Sequence, residues 1–205
     1  FVALQILAIA TLCCTSILSN MSIYNFTKIC AEPIDQDLSG NYTIMSSNFT
    51  RTQESLLQGA SAVGALASSI PYMLTFNRFS GRFVFLSAGV ISIVSTALAP
   101  LAYTLGFWGF LVARVAQGIS FATVLQVIGV VTAEWAALGE HGMFLAFLTG
   151  CTQLSNIFTM PVSGAICSSS LGWTWVFYVH SIVCAVVFAL WLLIYRLHPC
   201  GPRLF

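Results

Sequence analysis

The chain reads as an all-α membrane protein with six transmembrane helices, and three observations carry that reading. Of its 205 residues 58% are hydrophobic and only 6% are charged, too few charges to cover a water-soluble domain of this size. Six stretches are apolar over the roughly 20 residues that a helix needs to cross the hydrocarbon core. Two pairs of arginines and the two loop sequons fall on opposite sides of those stretches. The net charge of +1, with no basic patch, points to no nucleic-acid partner, and the lipid bilayer is the expected surroundings.

The helices are expected at about 1–29, 55–76, 83–103, 107–132, 143–167 and 173–195. The first run is too long for a signal-peptide core and lacks a basic leader, and it begins without Met. The chain is therefore expected to be a fragment of a longer protein. The second helix has the small-residue texture of close packing, with Gly59 and Gly64 among Ala and Ser. Pro100 lies near the end of the third helix, and Pro161 is expected to kink the fifth.

The connections set the orientation. Residues 30–54 form a long polar loop with two sequons, Asn41-Tyr42-Thr43 and Asn48-Phe49-Thr50, which are glycosylated only on the non-cytoplasmic side. Two further matches, at Asn20 and Asn25, fall in or at the end of the first helix, too close to the bilayer for the glycosylation machinery. Arg78 and Arg82 lie between helices two and three, and Arg196 and Arg203 follow helix six. The positive-inside rule puts both pairs in the cytoplasm, and six crossings place them on one side, opposite the sequons. Plasma membrane and vesicle or lysosome membrane both fit.

The seven cysteines show no metal-ligand spacing and no histidine cluster joins them. Most read as small apolar helix residues. Cys30 and Cys167 fall on the same non-cytoplasmic side, and they are not expected to be joined. No catalytic constellation and no phosphate loop is present, so an enzyme is not expected.

Arg114 is the only formal charge between Phe107 and Thr132. A charge at membrane depth is expensive and usually faces a polar cavity or a partner; the bland alternative is a side chain that snorkels to the interface. Helical spacing puts Arg114, Gln117, Gly118, Phe121 and Leu125 on one broad face. A guanidinium beside an amide suits a small organic or inorganic anion, gripped through two parallel hydrogen bonds. Gln58 and Asn20 could add neutral polar contacts from neighbouring helices. For Gln58 an interhelical packing bond is an equal reading.

Several stretches carry a family resemblance. Asn77-Arg78-Phe79-Ser80-Gly81-Arg82 resembles the signature loop of the major facilitator superfamily, Gly-x-x-x-Asp-Arg-x-Gly-Arg-Arg/Lys, with Asn77 in place of the acid and Tyr72 where Gly is common. Further along come Leu98-Ala99-Pro100, Arg114-Val115-Ala116-Gln117-Gly118, Glu134-Trp135-Ala136, Met160-Pro161-Val162-Ser163-Gly164 and Gly172-Trp173-Thr174-Trp175-Val176-Phe177-Tyr178. In this order and spacing they resemble the anion:cation symporter branch, which includes sodium–phosphate, sialic acid and vesicular glutamate transporters.

The resemblance implies the N-terminal six-helix half of a twelve-helix carrier, partnered by a C-terminal six-helix half. It implies alternating access, no cofactor, and Na⁺ or H⁺ as coupling ion. Arg114 matches the family's cavity arginine. The arginine frequent on helix one falls at Leu18, with Asn20 at the matching Asn. The histidine of the glutamate transporters falls at Gln58, and the helix-four acid falls at Phe121. Arg78 and Arg82 are expected to pair with Glu140 across the cytoplasmic face, or else to serve only as topology-setting cations. The departures at Leu18 and Phe121 keep a second reading open, a non-transporting receptor or scaffold of the same fold.

Overall fold

The computed structural model describes residues 2–31, 34–36, 42–44, 49–137, 139–169 and 172–197. Its helices are α1 (Val2–Ala31), α2 (Arg51–Arg78), α3 (Gly81–Thr104), α4 (Phe107–Trp135), α5 (His141–Thr149), α6 (Cys151–Cys167) and α7 (Thr174–Leu197). Two three-residue strands, β1 (Ile34–Gln36) and β2 (Tyr42–Ile44), pair antiparallel in the first connection. The all-α reading therefore holds for the bundle, with a small hairpin added. The sequon asparagines Asn41 and Asn48 lie outside the described residues.

The start of α2 and the course of the fifth crossing differ from expectation, each for a local reason. Helix α2 starts at Arg51 because Thr50 caps it: its hydroxyl accepts from the Gln53 amide at 3.4 Å, and the Gln53 side chain accepts from the Thr50 amide at 2.9 Å. The fifth crossing is interrupted at Gly150, between α5 and α6, while Pro161 lies inside a continuous α6. Backbone bonds run through the break, from Gly150 to the Ala146 carbonyl and from Leu154 to the Gly150 carbonyl. Gly106 begins α4 from φ 88°, a left-handed backbone that favours glycine.

Among the described residues five crossings are long and apolar enough to span a bilayer: α1, α3, α4, α5 with α6, and α7. Helix α2 is equally long but more polar. Its outer face still exposes Leu56, Val63, Leu66, Ile70 and Met73, as a lipid-facing surface does.

Helix α4 is central, packed against α2, α3, α1 and α5; α7 lies behind α1 and α3, and α6 flanks α1. Contacts between α2 and α4 keep one register: Leu57 meets Arg114, Ser61 meets Gly118 and Ser69 meets Gln126. The two helices therefore run in the same direction. A Cβ on Gly118 would collide with the Ser61 carbonyl, and one on Gly64 with the Val115 carbonyl. The two backbones are in contact, which only glycine permits. Helix α1 runs antiparallel to α7, with Cys13 near Val187 and Ser16 near Cys184.

The interior is layered. One apolar cluster joins Ile6, Leu7, Ile17, Phe85, Val127, Phe144, Phe188 and Trp191. A second, toward the other end of the bundle, joins Ile23, Tyr24, Phe49, Leu57, Phe110 and Phe177. Between them every long helix except α2 turns polar at the same level: Ser19 and Asn20 on α1, Ser92 and Thr96 on α3, Arg114 to Thr123 on α4, Thr159 on α6, His180 on α7. On α2 the same level carries small residues, Ser61, Gly64 and Ser68.

Candidate functional site

Arg114 lies in this polar layer and is only 3% exposed. The backbone contact at Gly118 draws α2 so close that the Leu57 carbonyl accepts from Arg114 Nε at 3.4 Å. Nη1 donates to the Met21 carbonyl of α1 at 3.2 Å and to Gln117 Oε1 at 2.7 Å. Cζ stands 4.7 Å over the Tyr24 ring, a cation–π contact. Gln117 passes the network on, donating to Thr96 Oγ1 at 3.2 Å.

None of these hydrogen-bond acceptors is a carboxylate. Carbonyl dipoles and an aromatic face satisfy donors without cancelling the charge, so the guanidinium keeps its positive field. An anion about 4 Å away gains on the order of 4 kcal/mol at the effective dielectric of a partly wet site. Among the described residues Nη2 makes no hydrogen bond.

The broad face read from helical spacing is divided in the fold. Arg114, Gln117 and Gly118 are buried, Phe121 is half-buried against the first apolar cluster, and Leu125 is exposed. Gly118 offers no open backbone, because Ser61 covers it. Asn20 is not brought to Arg114. Its side chain turns to α3 and donates to Ser92 Oγ at 2.9 Å, with Oδ1 buried and unpartnered. Gln58 is exposed and donates to Asn25 Oδ1 at 3.3 Å, bridging α2 to α1 one turn beyond Met21. Tyr24, Thr96 and the two carbonyls were not legible as site groups, since a sequence carries no mark of which helix backbone a guanidinium will reach.

At the α2–α3 connection Asn77 and Arg78 are exposed in the last turn of α2, and Gly81 opens α3. Gly81 is not among the positive-φ glycines; it is buried where a Cβ would press on Val130 and Phe76, so packing rather than turn geometry selects it. Arg82 stacks 4.7 Å over Phe83 and lines a narrow crevice with Glu134, Trp135 and Trp191. Glu140, the acid expected to face these arginines, is exposed at the start of α5. The acid on the Arg82 crevice is Glu134, one element earlier. Among the described residues no group of His, Cys, Asp or Glu could hold a metal ion.

The Major Facilitator Superfamily profile matches residues 7–203. Among similar proteins, sodium-dependent phosphate transport protein 1 of Oryctolagus cuniculus is 30% identical over 71% of this chain and 31% of its own length. Sialin of Ovis aries is 27% identical over 65% of this chain and 27% of its own. A probable small intestine urate exporter of Mus musculus is 26% identical over 70% and 29%. The chain thus spans about a third or less of each relative. These relatives are transporters, not enzymes, and they bear out the resemblance to the anion:cation symporter branch. A multi-pass integral membrane protein with five long apolar crossings among the described residues, matched by that profile over nearly its whole length, the chain belongs to the Major Facilitator Superfamily.

Proposed function

We propose that this bundle is one half of a secondary carrier for a small anion, and that Arg114 binds the anion. The observation that carries the reading is a buried guanidinium held by three neutral acceptors, with Nη2 left to a ligand. Access opens where the exposed Gln58–Asn25 bridge spans α1 and α2. Parting that bridge would widen the seam next to the Met21 and Leu57 carbonyls. A second six-helix half supplies the other wall, and rocking of the halves exposes the site to each side in turn. Relatives described as a sodium-dependent phosphate transporter and a urate exporter support an anionic cargo. The coupling ion is Na⁺ or H⁺. Phe121 stands where the family carries an acid, so a proton would have to use another group. Asn41 and Asn48 carry N-glycans, and Arg78 and Arg82 grip the cytoplasmic face through Glu134 or Glu140.

One observation favours a non-transporting receptor or scaffold: Nε and Nη1 of Arg114 are already occupied, as a purely structural arginine would be. Thermal unfolding of the full-length protein with phosphate, glutamate, sialate or urate separates the two. The carrier reading expects at least one anion to raise Tm in the wild type and not in Arg114→Gln. No shift with any of them, or an equal shift in the variant, would favour the scaffold.

A further inference from the structure

Helix α6 meets α1 through small residues. The residues α6 buries are Cys151, Ser155, Thr159 and Ser163, with no large apolar side chain among them. The Ser19 and Thr159 hydroxyls hydrogen-bond across this α1–α6 seam at 2.6 Å, and Ser163 Oγ is buried without a partner. At the end of this seam Cys167, the last residue of α6, is disulfide-bonded.

Of the other six cysteines, Cys13, Cys14, Cys151 and Cys184 are free thiols. That leaves Cys30 and Cys200. Helix geometry chooses between them. Cys14 interacts with Cys151, and Ser19 with Thr159, so α1 and α6 run in the same direction. From the Ser19–Thr159 contact Cys167 lies about 12 Å further along α6, and position 30 lies about 16 Å further along α1, at 1.5 Å per residue. The two positions therefore end at nearly one level. Helix α7 runs the other way. From Ser16–Cys184 it descends about 20 Å to Leu197, roughly 35 Å below the level of Cys167. Three further residues reach at most about 11 Å, whereas disulfide-bonded Cα atoms stand about 4.4–6.8 Å apart. Cys200 is out of range.

We infer that Cys30 is the partner, and that a Cys30–Cys167 disulfide staples the non-cytoplasmic ends of α1 and α6. This reverses the expectation that the two stay unjoined. The bond forms by loss of one proton from each thiol and of two electrons from the pair. The oxidant is the disulfide of a protein oxidoreductase in the secretory lumen, which departs as its dithiol after a mixed-disulfide step. The staple ties together the ends of two helices that otherwise meet through small residues. It also fixes these two helix ends on the oxidising side of the membrane, in agreement with the side that the sequons mark.

The test counts thiols in the protein made in a secretory membrane, denatured and tagged with a maleimide polymer before and after reduction. Counting on denatured chains makes the result independent of whether a variant folds well. In the wild type, two cysteines should be protected until reduction. Cys30→Ser and Cys167→Ser should each leave no protected thiol, and Cys200→Ser should still leave two. Non-reducing peptide mapping of the wild type should recover the peptides containing Cys30 and Cys167 joined. Full tagging of the wild type without reductant would overturn the inference. So would loss of protection in Cys200→Ser with retention in Cys30→Ser.

Discussion

Two seams flank the central helices, and they are built on opposite principles. On one side α2 lies on α4 with backbone against backbone, Gly118 under Ser61 and Gly64 under Val115. On the other side α6 lies on α1 through a narrow stripe of Ser155, Thr159 and Ser163 joined to α1 by a hydroxyl bond. The first seam uses the absence of side chains to bring carbonyls within reach of Arg114. The second uses short polar side chains, which in lipid gain little from burial. The difference teaches where the fold needs precision. The α2–α4 seam sets a hydrogen-bond geometry at a charge; the α1–α6 seam needs only to stay closed, and a covalent tie suffices.

That contrast can be broken most severely at Gly118. Gly118→Val drives two methyl groups into the Ser61 carbonyl and should cost about 1–3 kcal/mol or more. The expected readouts are a clear fall in Tm in detergent and loss of any anion-dependent stabilisation. Gly59, where a Cβ would meet open space, is the control: Gly59→Ala should leave both unchanged. If Gly118→Val kept wild-type Tm and anion response, the backbone seam would not be what positions Arg114.

A smaller effect is expected on the other seam. Thr159→Val removes the bond to Ser19 while keeping the shape. It should lower stability by about 0.6 kcal/mol, the average for interhelical hydrogen bonds in membrane proteins. Anion response should persist, because none of the Arg114 partners lies on α6. Loss of anion response in Thr159→Val would join the two seams into one functional unit. Smallest of all is Gln58→Ala, which parts an exposed bridge and should change Tm by no more than about 0.5 kcal/mol. Its effect belongs in the rate of anion entry, measured by initial uptake against steady-state accumulation.

Much of this was legible in the sequence. Five crossings follow from apolar length alone, the more polar α2 does not, and Arg114 announced itself as a lone charge. The expected start at 55 overlooks the Thr50–Gln53 capping pair, which begins α2 at Arg51. The break at Gly150 was not legible, because that glycine keeps a right-handed backbone and no proline accompanies it. Helical spacing located the face that holds Arg114 and Gln117, but not which part of it faces inward. That division is set by how closely α2 approaches, a property of two helices rather than one. The turn of Asn20 toward Ser92 is likewise not readable from its place beside a family position.

The central claim is that Arg114 binds the transported anion. Its most direct test is radiolabelled anion uptake by the full-length protein, comparing wild type with Arg114→Ala and Arg114→Lys at matched surface expression. One lost charged hydrogen bond is worth about 1.5–3 kcal/mol, so Arg114→Ala should reduce uptake at least about tenfold. Lysine keeps the charge but not the planar fork, and it should restore uptake only in part. Uptake unchanged in Arg114→Ala would contradict the claim and leave Arg114 a structural residue of the polar layer.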